Sequence, residues 1–271
     1  MRVITQVFNF YLNSSIHVAL SCYALVRLTF HMFGIEYDES MALFVFFGTI
    51  VGYNFVKYDA LVRVKRVPIG NQLKIIAIFS FFSLLLVGYY FFQLQRITQI
   101  VSVGIFAITA LYTLPFFPNR KNARNWAGVK IYIVSLCWVG ATLVLPLINA
   151  EIAFTSDFYL KCVQRFILVF ALILIFEIID LANDDPHLQT VPQQIGVKRT
   201  KILGLSLLIP FYFLEFLRLA LDKNQLIINL IMVLVLSLFI VFANEKRPKY
   251  YTSFWVESIP IFWWLMVVFC G

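Results

Sequence analysis

Nine apolar runs punctuate the chain, at roughly residues 13–33, 40–60, 73–92, 97–115, 128–148, 160–180, 201–220, 224–243 and 254–270. Each is close to the length a helix needs to cross the hydrocarbon layer, about 20 residues. Within each run the apolar positions are continuous and rich in Leu, Ile and Phe. Strands of a membrane barrel show short alternating segments instead. The pattern therefore predicts helices, which satisfy their own backbone groups inside lipid. No linker or low-complexity stretch separates the runs. The expected fold is an all-α polytopic membrane protein with nine transmembrane helices, and 1–271 reads as a single transmembrane domain.

Composition agrees: 61% of residues are apolar and 13% charged, outside the range of soluble domains. Charge adds an orientation. A net charge of +8 suits either nucleic-acid binding or a membrane topology signal. Placement separates the two. The N-terminus and the loops after the second, fourth, sixth and eighth runs hold 16 Lys and Arg residues. The opposite side holds five: Arg96, Lys161, Arg165, Arg218 and Lys223. The positive-inside rule then predicts a cytoplasmic N-terminus, cytoplasmic polar loops and an outside C-terminus, with the cell's inner membrane as the expected location. Membrane-flanking cations of this kind argue against a nucleic-acid partner. No cleavable signal is apparent: one Arg lies in the first twelve residues, and the run that follows is long enough to span. Cys22, Cys137, Cys162 and Cys270 have no metal-ligand spacing and read as packing residues.

Candidate chemistry concentrates after the sixth run. Glu177, Asp180, Asp184 and Asp185 cluster there, in a chain with only 14 acidic residues. Acid at the mouth of a membrane helix is costly and marks a functional site. Asp180 and Asp184 stand four apart, and Glu177 three before, so all three share a helix face. A column of carboxylates repels itself unless positive charge sits among it. Two readings follow. One is Mg²⁺, which takes one or two carboxylates and bridges to phosphate oxygens. The other is ion pairing with Lys198, Arg199 or Lys201. Two further basic loops on the same membrane face, 54–70 and 112–130, favour a diphosphate site at the cytoplasmic mouth.

Asp180-Leu-Ala-Asn-Asp184, followed by Gln189-Thr-Val-Pro192 and Gly196-Val-Lys-Arg-Thr200, resembles the second aspartate motif of the UbiA superfamily of intramembrane prenyltransferases. Tyr112-Thr-Leu-Pro115 ahead of Arg120 and Lys121 is similar to that family's Tyr-x-x-Pro segment. Val67-Pro-Ile-Gly70 after Lys65 and Arg66 resembles its Leu-Pro-x-Gly turn. The resemblance implies nine helices around a central cavity. It also implies Mg²⁺-dependent transfer of a prenyl group from an isoprenyl diphosphate to an aromatic or other lipid acceptor. Asp180 and Asp184 would then ligate Mg²⁺ with Glu177 nearby. Lys121, Arg120, Tyr112 and Lys198 would line the diphosphate site, and His187 is a further candidate contact.

The family's first motif, Asn-Asp-x-x-Asp-x-x-x-Asp, is eroded. Anchored on Asn54, its acidic positions are Phe55, Tyr58 and Val62, and Asp59 falls one place late. Three outcomes are open. Asp59 and Asn54 keep a remnant metal site; Lys57, Arg63 and Arg66 replace the metal as positive charge; or catalysis is lost and the protein binds a prenyl lipid or a partner without turnover. A transporter is the third class, but no inverted repeat is visible. Elsewhere, Arg27 is expected to snorkel toward Glu36, Asp38 and Glu39, His17 to pack, and Glu215 and Arg218 to form a structural i, i+3 ion pair.

Overall fold

The computed structural model describes residues 2–65, 70–113, 128–182, 184 and 188–270, without the side chains of 2–3, 59–65 and 111–113. These residues are helical with no strand among them. The elements are α1 (Arg2–Asn13), α2 (Ile16–Met32), α3 (Glu39–Lys65), α4 (Asn71–Phe91), α5 (Arg96–Thr113), α6 (Val129–Val139), α7 (Leu145–Asn149), α8 (Ser156–Asp180), α9 (Val191–Ile195), α10 (Val197–Phe213), α11 (Lys223–Phe242) and α12 (Ile259–Cys270). Every predicted run overlaps helix among the described residues. Seven of the resulting segments are long and apolar enough to cross a membrane, and Ile16–Met32 and Arg96–Ala110 are shorter apolar helices.

Burial orders the bundle. In its apolar window α8 is 72% buried, against 11% for α4. Thus α8 is the central pillar, packed by α6, α10 and α11. Along α4 only Ile76 and Ser83 are buried, while Phe81, Phe82, Leu85 and Tyr89 are exposed and suit a lipid-facing wall. Two elements, α1 and α9, lay outside the predicted runs. Helix α1 leaves Ile4 and Val7 exposed, sets Phe8 against Tyr250 and Phe254, and sets Phe10 against Phe79. It has the two-faced pattern of a helix lying along the membrane surface.

Two wide π-helical turns interrupt the spans, at Gly140–Val144 between α6 and α7 and at Tyr251–Val256 before α12. Such a turn releases carbonyls from the regular helix ladder. Thr142 O accepts from Thr29 Oγ1 at 2.7 Å and from Arg165 Nη1 at 3.4 Å. Phe254 O accepts from His17 Nε2 at 2.9 Å. Since a carbonyl cannot donate, the Nε2 proton leaves Nδ1 to accept from the Tyr11 hydroxyl, 2.6 Å away.

Three charges read as loop or snorkelling residues are placed differently. Lys161 and Arg165 are not at the outer surface: α8 begins at Ser156, so both lie inside the bundle, 4% and 2% exposed. Arg165 donates to Leu25 O, Thr29 Oγ1 and Thr142 Oγ1, and its guanidinium lies 5.8 Å from the Trp263 ring. Arg27 does not reach the acidic loop by a salt bridge. It stacks over Tyr37 at 4.3 Å and Trp264 at 5.6 Å and donates to the Tyr23 hydroxyl, because a weakly hydrated guanidinium suits aromatic faces. The predicted Glu215–Arg218 pair is present at 3.0 Å. The four cysteines are free.

Candidate active site

The end of α8 carries the carboxylates. Asp184 N donates to Asp180 O at 2.9 Å, so the helical turn continues past Asp180 and the two acids are stacked one turn apart. Asp180 is exposed, and its side chain makes no hydrogen bond among the described residues. Asp184 Oδ2 is buried and has no hydrogen-bond partner among the described residues. An orphaned buried carboxylate oxygen is costly, and a cation is the natural partner for it. Two adjacent carboxylates suit a hard ion such as Mg²⁺, which keeps several waters. No group of three His, Cys, Asp or Glu converges on one point among the described residues.

Glu177, an electrostatic neighbour of Asp184, has a backbone partner of its own. It is 3% exposed, and its Oε2 accepts from Val191 N at 3.0 Å. There it fixes the start of α9, the short helix built by the Thr190-Val-Pro192 stretch, whose Gln193 Oε1 accepts from Thr190 N at 2.9 Å. Gly196 then turns the chain into α10 at φ 80°, ψ 154°. That backbone region is essentially reserved for glycine. The tail of the motif is therefore a folding device that returns the chain beside α8.

Cations surround the acids. Lys130, in the first turn of α6, is an electrostatic neighbour of Glu177 and Asp180. Lys249, just before α12, is a neighbour of Asp180, of Glu257 and of Lys57. Lys198 and Arg199 are exposed on α10, and Lys201 donates to Val241 O at 2.8 Å, so the structure brings none of these three into a salt bridge with Asp180 or Asp184.

On α3, Asn54 is buried and engaged. Its Oδ1 accepts from Ser15 Oγ at 2.8 Å, and its Nδ2 donates to Ser14 O at 3.0 Å and Ser80 Oγ at 2.8 Å. Both amide protons are spent on tying α2, α3 and α4 together. Phe55 is 44% exposed, and the Tyr58 hydroxyl donates to Asn13 O at 2.7 Å. The side chains of Asp59, Arg63 and Tyr112 lie outside the described residues, as do Arg66, Arg120, Lys121 and His187. Lys249, Lys130 and Glu257 had no signal in the sequence that marked them as site residues. An open recess of about 540 Å³ at Phe92–Ile100 lies at the α4–α5 turn, with Arg96 as its only charged lining residue.

No family profile and no curated protein sequence matches the chain. Solved structures do. A UbiA homolog from Archaeoglobus fulgidus superposes with a TM-score of 0.63 at 14% identity, covering 96% of this chain and 98% of that one. The same homolog bound to GPP and Mg²⁺ gives 0.63 at 13% identity, again over 96% and 98%. A digeranylgeranylglyceryl phosphate synthase structure gives 0.57 at 13% identity, over 98% of this chain and 97% of that one. Over nearly its whole length, the chain has the UbiA fold.

Proposed function

We propose that the protein is an intramembrane prenyltransferase of the UbiA superfamily, working as one transmembrane domain over 1–271. It moves a prenyl group from an isoprenyl diphosphate to an aromatic or other lipid acceptor. The observation that carries the reading is the stacked Asp180–Asp184 pair, with a buried oxygen unpartnered among the described residues and with Lys130 and Lys249 as electrostatic neighbours of Asp180. Asp180 and Asp184 hold Mg²⁺. When bound, the ion supplies positive charge to the diphosphate oxygens. The lysines orient and neutralise the same oxygens. The prenyl C–O bond breaks with its electrons leaving on diphosphate, the acceptor bonds that carbon, and the acceptor gives up a proton. The named relatives support the substrate class, since one is bound to GPP and another crystal of it to DMAPP, each with Mg²⁺. Lys198, Tyr112, Arg120, Lys121, Arg63 and Arg66 remain the further candidates for the diphosphate side.

A second reading has its own support: binding without turnover. The positions that carry acids in the family's first motif are here an outward Phe55 and a Tyr58 committed to Asn13, and the Asn54 amide is committed to packing. Turnover of radiolabelled geranyl diphosphate by the purified protein separates the two. Mg²⁺-dependent product formation with a lipid acceptor is expected. Retained binding with no product under any acceptor establishes the second reading instead.

We place the N-terminus and this mouth in the cytoplasm. With Lys161 and Arg165 buried, only Arg96, Arg218 and Lys223 remain on the opposite side, and Arg218 is already paired. The contrast with the 16 Lys and Arg of the other face is thereby sharper. A reporter that works only outside the cytoplasm, fused after Gly271, is expected to be active; cytoplasmic activity at that position reverses the orientation.

A further inference from the structure

We infer that Lys57 and Lys249, both hydrogen-bonded to Asn13, form a two-lysine clamp for the diphosphate end of the substrate. The inference rests on the prenyl diphosphate reading and adds a residue set to it. Asn13 ends α1 and begins the short link to α2. Its backbone oxygen accepts from Lys57 Nζ at 3.2 Å and from the Tyr58 hydroxyl at 2.7 Å. Its side-chain Oδ1 accepts from Lys249 Nζ at 3.3 Å. One residue therefore gathers two ammonium groups from opposite ends of the chain. The link is held from below as well, because Ser14 O and Ser15 Oγ are both bonded to Asn54.

Two like charges so gathered repel, and each is an electrostatic neighbour of the other. Neither makes a salt bridge among the described residues. Among the described residues, Glu257 is an electrostatic neighbour of both, and Asp180 is one of Lys249. Each ammonium has three N–H groups and spends one on Asn13, which leaves two per lysine aimed elsewhere. Paired cations with unspent donors, fixed by a common acceptor, are a site for a multiply charged oxyanion. The charge count fits the eroded motif. Two lysines supply the two positive charges that a second divalent ion would supply, and Lys57 stands on α3, where acids to hold such an ion are replaced by Phe55 and Tyr58. Compact ammonium groups bind phosphate as point charges.

The clamp is tested with inorganic pyrophosphate, titrated into the purified full-length protein by calorimetry, with Mg²⁺ and with EDTA. Lys57→Gln and Lys249→Gln are each expected to weaken binding about tenfold in Mg²⁺, the worth of one charge-assisted hydrogen bond. The double variant is expected to lose the residual binding that survives in EDTA. Lys57→Arg with Lys249→Arg keeps the charges and is expected to retain binding, and unchanged thermal melting of all variants excludes unfolding as the cause. A short-chain phosphatidylglycerol is expected not to displace pyrophosphate; displacement assigns the clamp to lipid headgroups and overturns the inference. If the glutamine variants bind as wild type while Asp180→Asn does not, the clamp is wrong and the metal reading stands. If the wild-type protein binds no pyrophosphate in Mg²⁺, the diphosphate reading and the clamp fall together.

Discussion

Asp184→Asn is expected to abolish most Mg²⁺-dependent prenyl transfer while leaving the protein at least as stable as wild type. The two halves of that result come from one observation. Asp184 Oδ2 is buried with no hydrogen-bond partner among the described residues. In the protein alone, such an oxygen contributes only its desolvation cost, about 1–3 kcal/mol. Removing its charge relieves that cost, so thermal melting without Mg²⁺ should stay level or rise. With Mg²⁺, wild type should gain melting temperature and the variant should not, because a ligand that binds only the folded state stabilises it by mass action. Turnover should fall by about 10²–10³-fold, the usual loss when one electrostatic stabiliser of a developing anion is removed. Asp180→Asn should lose activity similarly, without the gain in stability, since Asp180 is exposed. A variant that melts earlier than wild type in EDTA would show Asp184 to be a structural residue and sink the assignment. The pattern is the familiar conflict between stability and function at a site.

How far all this could be read from sequence depends on how far apart the partners lie. The spans were legible because apolar runs of about 20 residues have one solution in lipid. The Asp180–Asp184 stack was legible because i, i+4 geometry is local, and so was Glu215–Arg218 at i, i+3. Lys249 was not: it reads as one more cytoplasmic charge, and its partner Asn13 lies 236 positions away. Arg165 was not legible either. Its acceptors include a carbonyl released by the turn at Gly140–Val144, and no local pattern announces a wide turn. Asn54 shows a different limit. Its place in the motif was visible, but its commitment to Ser14, Ser15 and Ser80 depends on how α2 and α4 pack on α3. Helix α1 escaped because a two-faced helix of 12 residues is too short and too polar to register as a span.

Glu215→Ala is expected to cost about 3–5 kcal/mol of stability, the usual consequence of stranding one half of a buried ion pair. Glu215 is 1% exposed and collects four donors. Oε2 accepts from Lys161 Nζ at 2.6 Å, Gln164 Nε2 at 3.2 Å and Asn229 Nδ2 at 2.9 Å; Oε1 accepts from Arg218 Nη1 at 3.0 Å. These residues join α8, the turn after α10 and α11 at the end of the bundle opposite Asp180. Without Glu215, Lys161 keeps only the Gln164 side-chain oxygen at 2.9 Å, with no carboxylate beside it. The reciprocal change is milder. After Lys161→Ala, Glu215 still has Arg218, Gln164 and Asn229, and Arg218 is itself steadied by Asp157 at 3.3 Å. The order of loss is therefore Glu215→Ala beyond Lys161→Ala, read as the shift in unfolding midpoint of the detergent-solubilised protein. Replacing the pair together, Lys161→Met with Glu215→Leu, should recover much of the loss, since no charge is then left unpaired and apolar packing can take the space. Equal losses in the two alanine variants would mean that Arg218 does not act as the second counterion. Because α8 carries Asp180 at its other end, Glu215→Ala should reduce prenyl transfer only in proportion to the folded fraction, whereas Asp184→Asn removes activity from a fully folded protein; measuring melting and turnover on the same samples separates a network that holds the pillar in place from the carboxylates that use it.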